Sequence, residues 1–177
     1  MTNNQARLAI TQRQLKKYLN YDPISGHLTW IKKLGNKVVV GNRAGTICKR
    51  DGHRYIKIFG WVGAEHRLIW FYVTGEWPKG HIDHEDHDEQ NNSWTNLREV
   101  TQEENNKNSS LRCDNHLGIT GVYLNKNNSR KKYTAEINNK GKRKVKSFLT
   151  LDEAIVQRKV WEKEFGFHKN HGIHKPS

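Results

Sequence analysis

Asp83 and His84 stand side by side in the stretch HIDHEDHDEQNNSWTNLREVTQEEN, which runs from His81 to Asn105. Carboxylates (Asp83, Glu85, Asp86, Asp88, Glu89), imidazoles (His81, His84, His87) and the carboxamides of Asn91, Asn92, Asn96 and Asn105 concentrate here, in a chain that is otherwise strongly basic. A carboxylate run repels the polyanion that a basic chain attracts, and a divalent cation offsets the repulsion. Hard cations such as Mg²⁺ take oxygen ligands and keep several waters, so one or two protein oxygens suffice. Asp83 can give a carboxylate oxygen and Asn105 a carboxamide oxygen. If this piece is an extended strand, His84 points to the side opposite Asp83. It can then act on a water: the histidine side chain, with an unperturbed pKa of about 6.5, is the residue type suited to a general base near neutrality. His81 and His87 extend a His-x-x-His-x-x-His spacing that could hold a metal or be plain loop and strand. Glu85, Asp86, Asp88 and Glu89 read as a solvated loop without ligand roles.

The whole chain, 177 residues, carries 31 Lys+Arg against 18 Asp+Glu, a formal net charge of +13. Such an excess points first to nucleic acid and second to an anionic membrane. It is uneven: residues 1–110 hold 16 basic and 12 acidic residues (+4), whereas residues 111–177 hold 15 and 6 (+9). Hydrophobic residues make up 34%, too few for large cores. No run approaches the ~18 apolar residues of a membrane span and no signal peptide opens the chain, so a cytoplasmic (or nuclear) site of action is expected. Cys48 and Cys113 are far apart and belong to no Cys-x-x-Cys pair. That excludes a four-cysteine zinc site and gives no disulfide framework.

The elements that must position these groups are short. Thr11-Gln-Arg-Gln14 is a capping box opening a helix over 12–19. Residues 27–31, 45–49 and 53–59 read as strands, the last two joined by a turn at Asp51-Gly52. Apolar spacing predicts a helix over 64–73, stopped by Gly75 and Pro78. A strand at 81–84, a polar loop at 85–95, a strand at 96–100 and a helix opened by Thr101-Gln-Glu-Glu104 follow. The polar stretch 108–117 reads as a linker. Beyond it, 119–124, 133–138 and 144–149 read as three strands. The capping box Thr150-Leu-Asp-Glu153 opens a last helix whose face carries Ala154, Ile155, Arg158, Trp161 and Phe165. Residues 168–177 read as a disordered tail. The fold class is α+β: a first domain over 1–110 and a second over 111–177.

Asp83-His84, Asn91-Asn92, Asn96-Leu97-Arg98 and Asn105, in that order, resemble the HNH (ββα-metal) nucleases, and most closely their phage and intron homing endonuclease branch. Tyr21-Asp22-Pro23-Ile24-Ser25-Gly26 with Leu28-Thr29-Trp30, and His66-Arg67-Leu68 with Gly75-Glu76-Trp77-Pro78, look like segments that precede this motif in phage members. The likeness covers about 10–108, with the ββα-metal motif at about 80–109. It implies that Asp83 and Asn105 hold one divalent ion, Mg²⁺ or Mn²⁺, that His84 activates water, and that Asn96 pins the loop and helps orient His84. Asn105 stands where many relatives have a second histidine. His66-Arg67 could reach the DNA backbone or pack beneath the site.

Gly121-Val122-Tyr123, Tyr133-Thr-Ala-Glu136-Ile137, Phe148 and Leu151-Asp-Glu-Ala154 are similar to the Apetala2/ethylene-response-factor DNA-binding domain, over about 116–166. That likeness places DNA contacts on the sheet, at Arg130, Lys132, Lys142, Arg143 and Lys144, with Tyr123 stacking or touching sugar. Together the two resemblances imply a monomeric, site-recognising, homing-type endonuclease on double-stranded DNA, with no small-molecule cofactor, acting in a host cytoplasm if phage-encoded. One alternative is a DNA-binding regulator with an inactive nuclease remnant. Another is a structural fold with His81, His84 and His87 around zinc.

Overall fold

The computed structural model describes residues 2–112, 114–125 and 132–174. The chain divides into two compact units between Gln102 and Glu103, ahead of the stretch in which the sequence places a linker.

In the first unit α1 (Asn3–Ala9) precedes α2 (Gln12–Tyr18). The Thr11 capping box is formed: its hydroxyl accepts from the Gln14 N–H at 3.2 Å, and Gln14 Oε1 accepts from the Thr11 N–H at 3.0 Å. The chain then enters a hairpin of β1 (Leu19–Asp22) and β2 (His27–Trp30). A bridge between Thr29 and Arg43 lays the 41–44 segment along β2, which matters for Arg43 below. A three-stranded antiparallel sheet follows in the order β3 (Thr46–Ile47), β4 (Arg54–Ile58), β5 (Trp61–Ala64). β5 runs straight into α3 (Glu65–Thr74), which ends at Gly75 with φ 80°, a left-handed cap that favours glycine. The unit closes with the antiparallel pair β6 (His81–His84) and β7 (Leu97–Val100), joined through a loop and a single 3-10 turn at Trp94–Asn96. Leu15, Leu19, Leu28, Ile56, Ile58, Leu68 and Ile69 form the sealed centre of its core. Short sheets alternating with helices make this an α+β fold, as the sequence patterning indicates.

The second unit begins within α4 (Gln102–Lys107), at Glu103, and contains the antiparallel sheet β10 (Lys142–Phe148), β9 (Tyr133–Asn139), β8 (Val122–Leu124), in that order. α5 (Leu151–Glu164) opens on the formed capping box of Thr150 and Glu153. It packs Ala154 and Trp161 on Val122, Ala135 and Ile137 of the sheet. Ile155, placed by its spacing on one face with Ala154 and Trp161, is only half buried, and the buried helix face carries Arg158 and Glu162. Arg158 Nε donates to Glu162 Oε1 at 2.9 Å, and its other nitrogens reach the Glu136 carbonyl and His171 Nε2. The segment 168–174, read as a disordered tail, is ordered. Its backbone exchanges hydrogen bonds with residues 107–111: His168 N–H to Lys107 O at 3.1 Å, Gly172 N–H to Ser109 O and Leu111 N–H to Ile173 O, both at 2.9 Å. Backbone pairing rather than apolar burial holds it, so hydropathy gave no sign of it. Among the described residues, no helix is long and apolar enough to cross a membrane.

Candidate active site

The register of β6 against β7 pairs Asp83 with Arg98 and His84 with Leu97. Paired residues share a face and neighbours alternate. Asp83 and Arg98 therefore lie on one side of the ribbon and His84 on the other, as the strand reading required. Arg98 grips one carboxylate oxygen: Nε and Nη2 donate to Asp83 Oδ2 at 3.0 and 2.7 Å. On the other side Ile82, His84 and Leu97 are buried, His84 to 5% exposure.

The loop between the strands is built on one acid and two carboxamides. Asp86 Oδ1 accepts from Asn96 Nδ2 and from the Asp88 N–H, each at 2.9 Å, while Oδ2 accepts from Asn91 Nδ2 at 2.6 Å. Asn96 answers by accepting from the Asp86 N–H at 3.1 Å and donating to Asn91 O at 2.8 Å. Burial works to raise the Asp86 pKa, but the Asp88 N–H and the two carboxamides outweigh it and hold the group below its ordinary value. Asp86 is thus the anchor of the loop rather than one more solvated acid. Asn96 ties the loop to it.

The partner of His84 is Asn92. His84 Nε2 lies 2.8 Å from Asn92 Oδ1, and Asn92 Nδ2 donates to Glu65 Oε2 at 2.9 Å. The same oxygen accepts from Arg43 Nη2 at 2.8 Å, with Arg54 Nε at 3.8 Å. Glu65 is 0% exposed and Asn92 1%. A carboxylate only accepts, so the Asn92 amide must turn its NH₂ to Glu65 and its oxygen to His84. Nε2 of His84 must then carry the proton, and in the neutral ring the lone pair sits on Nδ1. One buried carboxylate thereby fixes the tautomer of an imidazole it does not touch.

The β1–β2 hairpin supports this chain of contacts. Tyr21 OH donates to Asn92 O at 2.8 Å; burial, then Asp22 and Glu65, push its phenol pKa up. Gly26, at φ 73°, lies so close that a Cβ there would come within 2.2 Å of the Asn92 carbonyl carbon. Sequence reading assigned a histidine-orienting role to Asn96 and gave none to Asn92 or Glu65. A fully buried acid opening a helix has no sequence signature, although the Asn91-Asn92 pair was itself visible.

The remaining candidates fall as follows. Asn105 is half buried on α4, in the second unit. His81 is exposed on the Asp83 side of β6. His87 is buried at φ 66°, donating its N–H to His84 O at 3.2 Å. His66 packs beneath β6 against His84, and Arg67 donates to the carbonyls of Gly80 and Pro78. Of the groups able to hold an ion, Asp83 is a carboxylate, which offers about four acceptor sites, two of them engaged by Arg98. Asp83 and Asn105 are all-oxygen donors, which fits Mg²⁺ or Mn²⁺. Among the described residues a different set, His53, His66 and His84, has ring nitrogens all within 4.8 Å of one another; the spacing of His81, His84 and His87 is not what gathers them.

In the second unit, strand alternation divides the basic candidates. Arg143 pairs with Asn138 and Tyr123 with Thr134, which puts both on the outer face with Glu136. Arg143 Nε donates to Glu136 Oε1 at 2.7 Å and Tyr123 OH to Glu136 Oε2 at 3.1 Å. Lys142 and Lys144 have the opposite parity. Lys144 Nζ reaches Glu164 of α5 and lies 4.9 Å from the centre of the Phe165 ring, on the helix side. Three consecutive strand residues cannot share one face, so the basic run 142–144 is not a single surface. Lys132 is exposed beside β9. Arg130, the turn at 127–129 and Cys113 lie outside the described residues; Cys48 is a free thiol.

Residues 64–107 match the family model described as HNH endonuclease. The matched segment runs from the end of β5 through α3, β6, the loop, β7 and α4. It contains Glu65, Asp83, His84, Asn92, Asn96 and Asn105. The match supports an HNH nuclease, a kind of enzyme that acts on DNA and generally uses a divalent metal. Comparison with curated proteins and with solved structures finds no match.

Proposed function

We propose that this protein is a site-recognising DNA endonuclease of the homing type, hydrolysing phosphodiester bonds with His84 as general base. The observation that carries the reading is the His84–Asn92–Glu65–Arg43 chain inside the segment that matches the HNH endonucleases. A base that must take a proton from water needs one nitrogen with its lone pair available and the other held protonated. Asn92 holds Nε2 in that state, so the proton is taken at Nδ1. Asn96 and Asp86 keep the loop that carries Asn92 in one conformation. Asp83 would be the first unit's ligand to the divalent ion, and Arg98 fixes its rotamer. When bound, such an ion stabilises charge on the phosphate and on the leaving oxygen.

The net charge of +13 serves attraction to the DNA backbone. The second unit, in this reading, is an Apetala2-like domain that selects the site with the outer face of its sheet, Arg143 and Tyr123 foremost, and with Lys132. A monomer with one such centre nicks more readily than it makes a double-strand break. Its place of work is cytoplasmic, a host cell's cytoplasm if the chain is phage-encoded.

The second reading, a DNA-binding regulator with an inactive nuclease remnant, is favoured by two observations: His84 is 5% exposed and Asp83 is already ion-paired to Arg98. A plasmid assay with Mg²⁺, Mn²⁺ or EDTA separates the two, run on wild type and His84→Ala with DNA binding measured in parallel. The nuclease reading expects metal-dependent nicking or linearisation. In the variant it expects that activity to fall by about 10²–10⁴-fold, the usual worth of a general base, with binding kept. Binding without cleavage in every metal would establish the regulator. Cleavage that survives in His84→Ala would remove His84 from the mechanism.

A further inference from the structure

Three imidazoles from three separate elements meet beneath β6. His53 lies just before β4, His66 in the first turn of α3 and His84 at the end of β6. The ring centroids are 4.8 Å apart for His53–His66, 5.1 Å for His66–His84 and 5.7 Å for His53–His84. One ring nitrogen from each lies within 4.8 Å of the others. His66 and His84 are buried and His53 is half buried, so His53 marks the open side.

His66 is buried and packs its ring against both of the others. Neutral imidazole nitrogens are the borderline donors that Zn²⁺, Co²⁺ and Ni²⁺ take and that Mg²⁺ does not. Zn–N bonds of about 2.0–2.1 Å place three nitrogens of a tetrahedron roughly 3.3 Å apart. Closing from the present spacing requires rotation of the side chains, of which His53 is the least buried.

We propose that His53, His66 and His84 form a second metal site, of the three-histidine zinc class, separate in donor chemistry from the oxygen ligand Asp83. Its consequence rests on the nuclease reading above: an ion held there takes the lone pair of His84, and water activation stops. Mg²⁺ and Zn²⁺ then act in opposition, one supporting cleavage and the other blocking it by occupying the base.

The test uses full-length protein stripped of metal and titrated with Zn²⁺ against a chromophoric chelator. Co²⁺ absorption serves as the signature of a tetrahedral nitrogen site. Wild type is compared with His53→Gln, with His53→Phe, which keeps the ring stacking and removes the nitrogens, and with His81→Gln as the exposed control. The proposal expects one equivalent of Zn²⁺ in wild type and in His81→Gln. It expects at least tenfold weaker binding and loss of the tetrahedral Co²⁺ band in whichever His53 variant melts as wild type does. In Mg²⁺ cleavage assays, the Zn²⁺ concentration that halves the activity should rise at least tenfold in that variant, each protein being compared with itself without zinc. No stoichiometric Zn²⁺ in wild type, or undiminished binding in the folded His53 variants, overturns the site. Zinc bound as expected with Mg²⁺ cleavage untouched overturns the inhibition. If wild type never cleaves, the nuclease reading fails, and the zinc site still stands or falls on the Co²⁺ spectrum.

Discussion

The two units treat their functional polar groups in opposite ways. In the first, Glu65, Asn92, His84 and Asn96 are buried, and each has its hydrogen-bond partner named by geometry. In the second, Arg143 and Lys142 are exposed, and Arg143 leans on Glu136, a neighbour on the same solvated sheet face. Under the proposed function, the difference follows from what each would have to do. A base has to present one nitrogen in one tautomer, and only a water-poor network with a single satisfied arrangement enforces that. A surface that meets phosphates gains from solvated side chains that can move to the ligand. The second unit does bury an ion pair, Arg158 with Glu162, but under α5, where it supports the sheet and touches no candidate DNA contact.

If this contrast is right, the largest effect of any single change in the polar residues should come from Glu65. Glu65→Ala leaves Arg43 without its carboxylate and Asn92 without its acceptor, all within the core. Breaking a buried pair from one side costs about 3–5 kcal/mol. Urea unfolding of the full chain should show that loss in the transition of the first unit. A loss under about 1 kcal/mol, the range of a surface pair, would mean that the Glu65 network is no more than a solvated contact.

Asn92→Ala comes next, and it splits stability from activity. Leaving the His84 Nε2–H and the Glu65 oxygen short of a partner should cost about 1–3 kcal/mol. Loss of an orienting partner around a reactive ligand typically lowers activity about 10–100-fold. The decisive readout is the nitrogen chemical shifts of His84: wild type should show the Nε2–H form, and the variant a mixture of tautomers. A variant with unchanged shifts and reduced cleavage would place Asn92 in some other role.

Much of this fold was legible because local chemistry decides it. The Thr11–Gln14 and Thr150–Glu153 boxes are where their spacing puts them, and the Asp83 and His84 faces follow from strand alternation alone. What was not legible depends on contacts distant in sequence. Glu65 reads as an ordinary first-turn acid, and its role appears only when Arg43 and Asn92 arrive from 22 and 27 residues away. β1 begins where the α2 pattern still looks helical, since Leu19 continues the spacing of Leu15 while packing as a strand residue. β5, Trp61–Ala64, exposes Val62 and holds Gly63 at its centre, so its apolar pattern does not mark a strand. The split of Lys142, Arg143 and Lys144 between two faces was hidden because the strand, read as 144–149, begins two residues earlier, at Lys142.

That split gives the finest test of the contrast between the units. Arg143 is exposed on the outer face, whereas Lys144 is bound to Glu164 on the helix side. Both carry one positive charge, so a chain that binds DNA by net charge alone should respond equally to Arg143→Ala and Lys144→Ala. A sheet that meets DNA with its outer face should not. Removing a phosphate contact lowers the slope of log affinity against log salt by about 1, and Arg143→Ala should show this while Lys144→Ala leaves the slope as it is. Neither should change folding stability by more than about 1 kcal/mol, because exposed pairs contribute little. Equal slopes for the two variants would mean that the face defined by Arg143 and Tyr123 has no part in binding. The reverse order would put the DNA on the side where α5 lies, and α5 would then have to move for binding to occur.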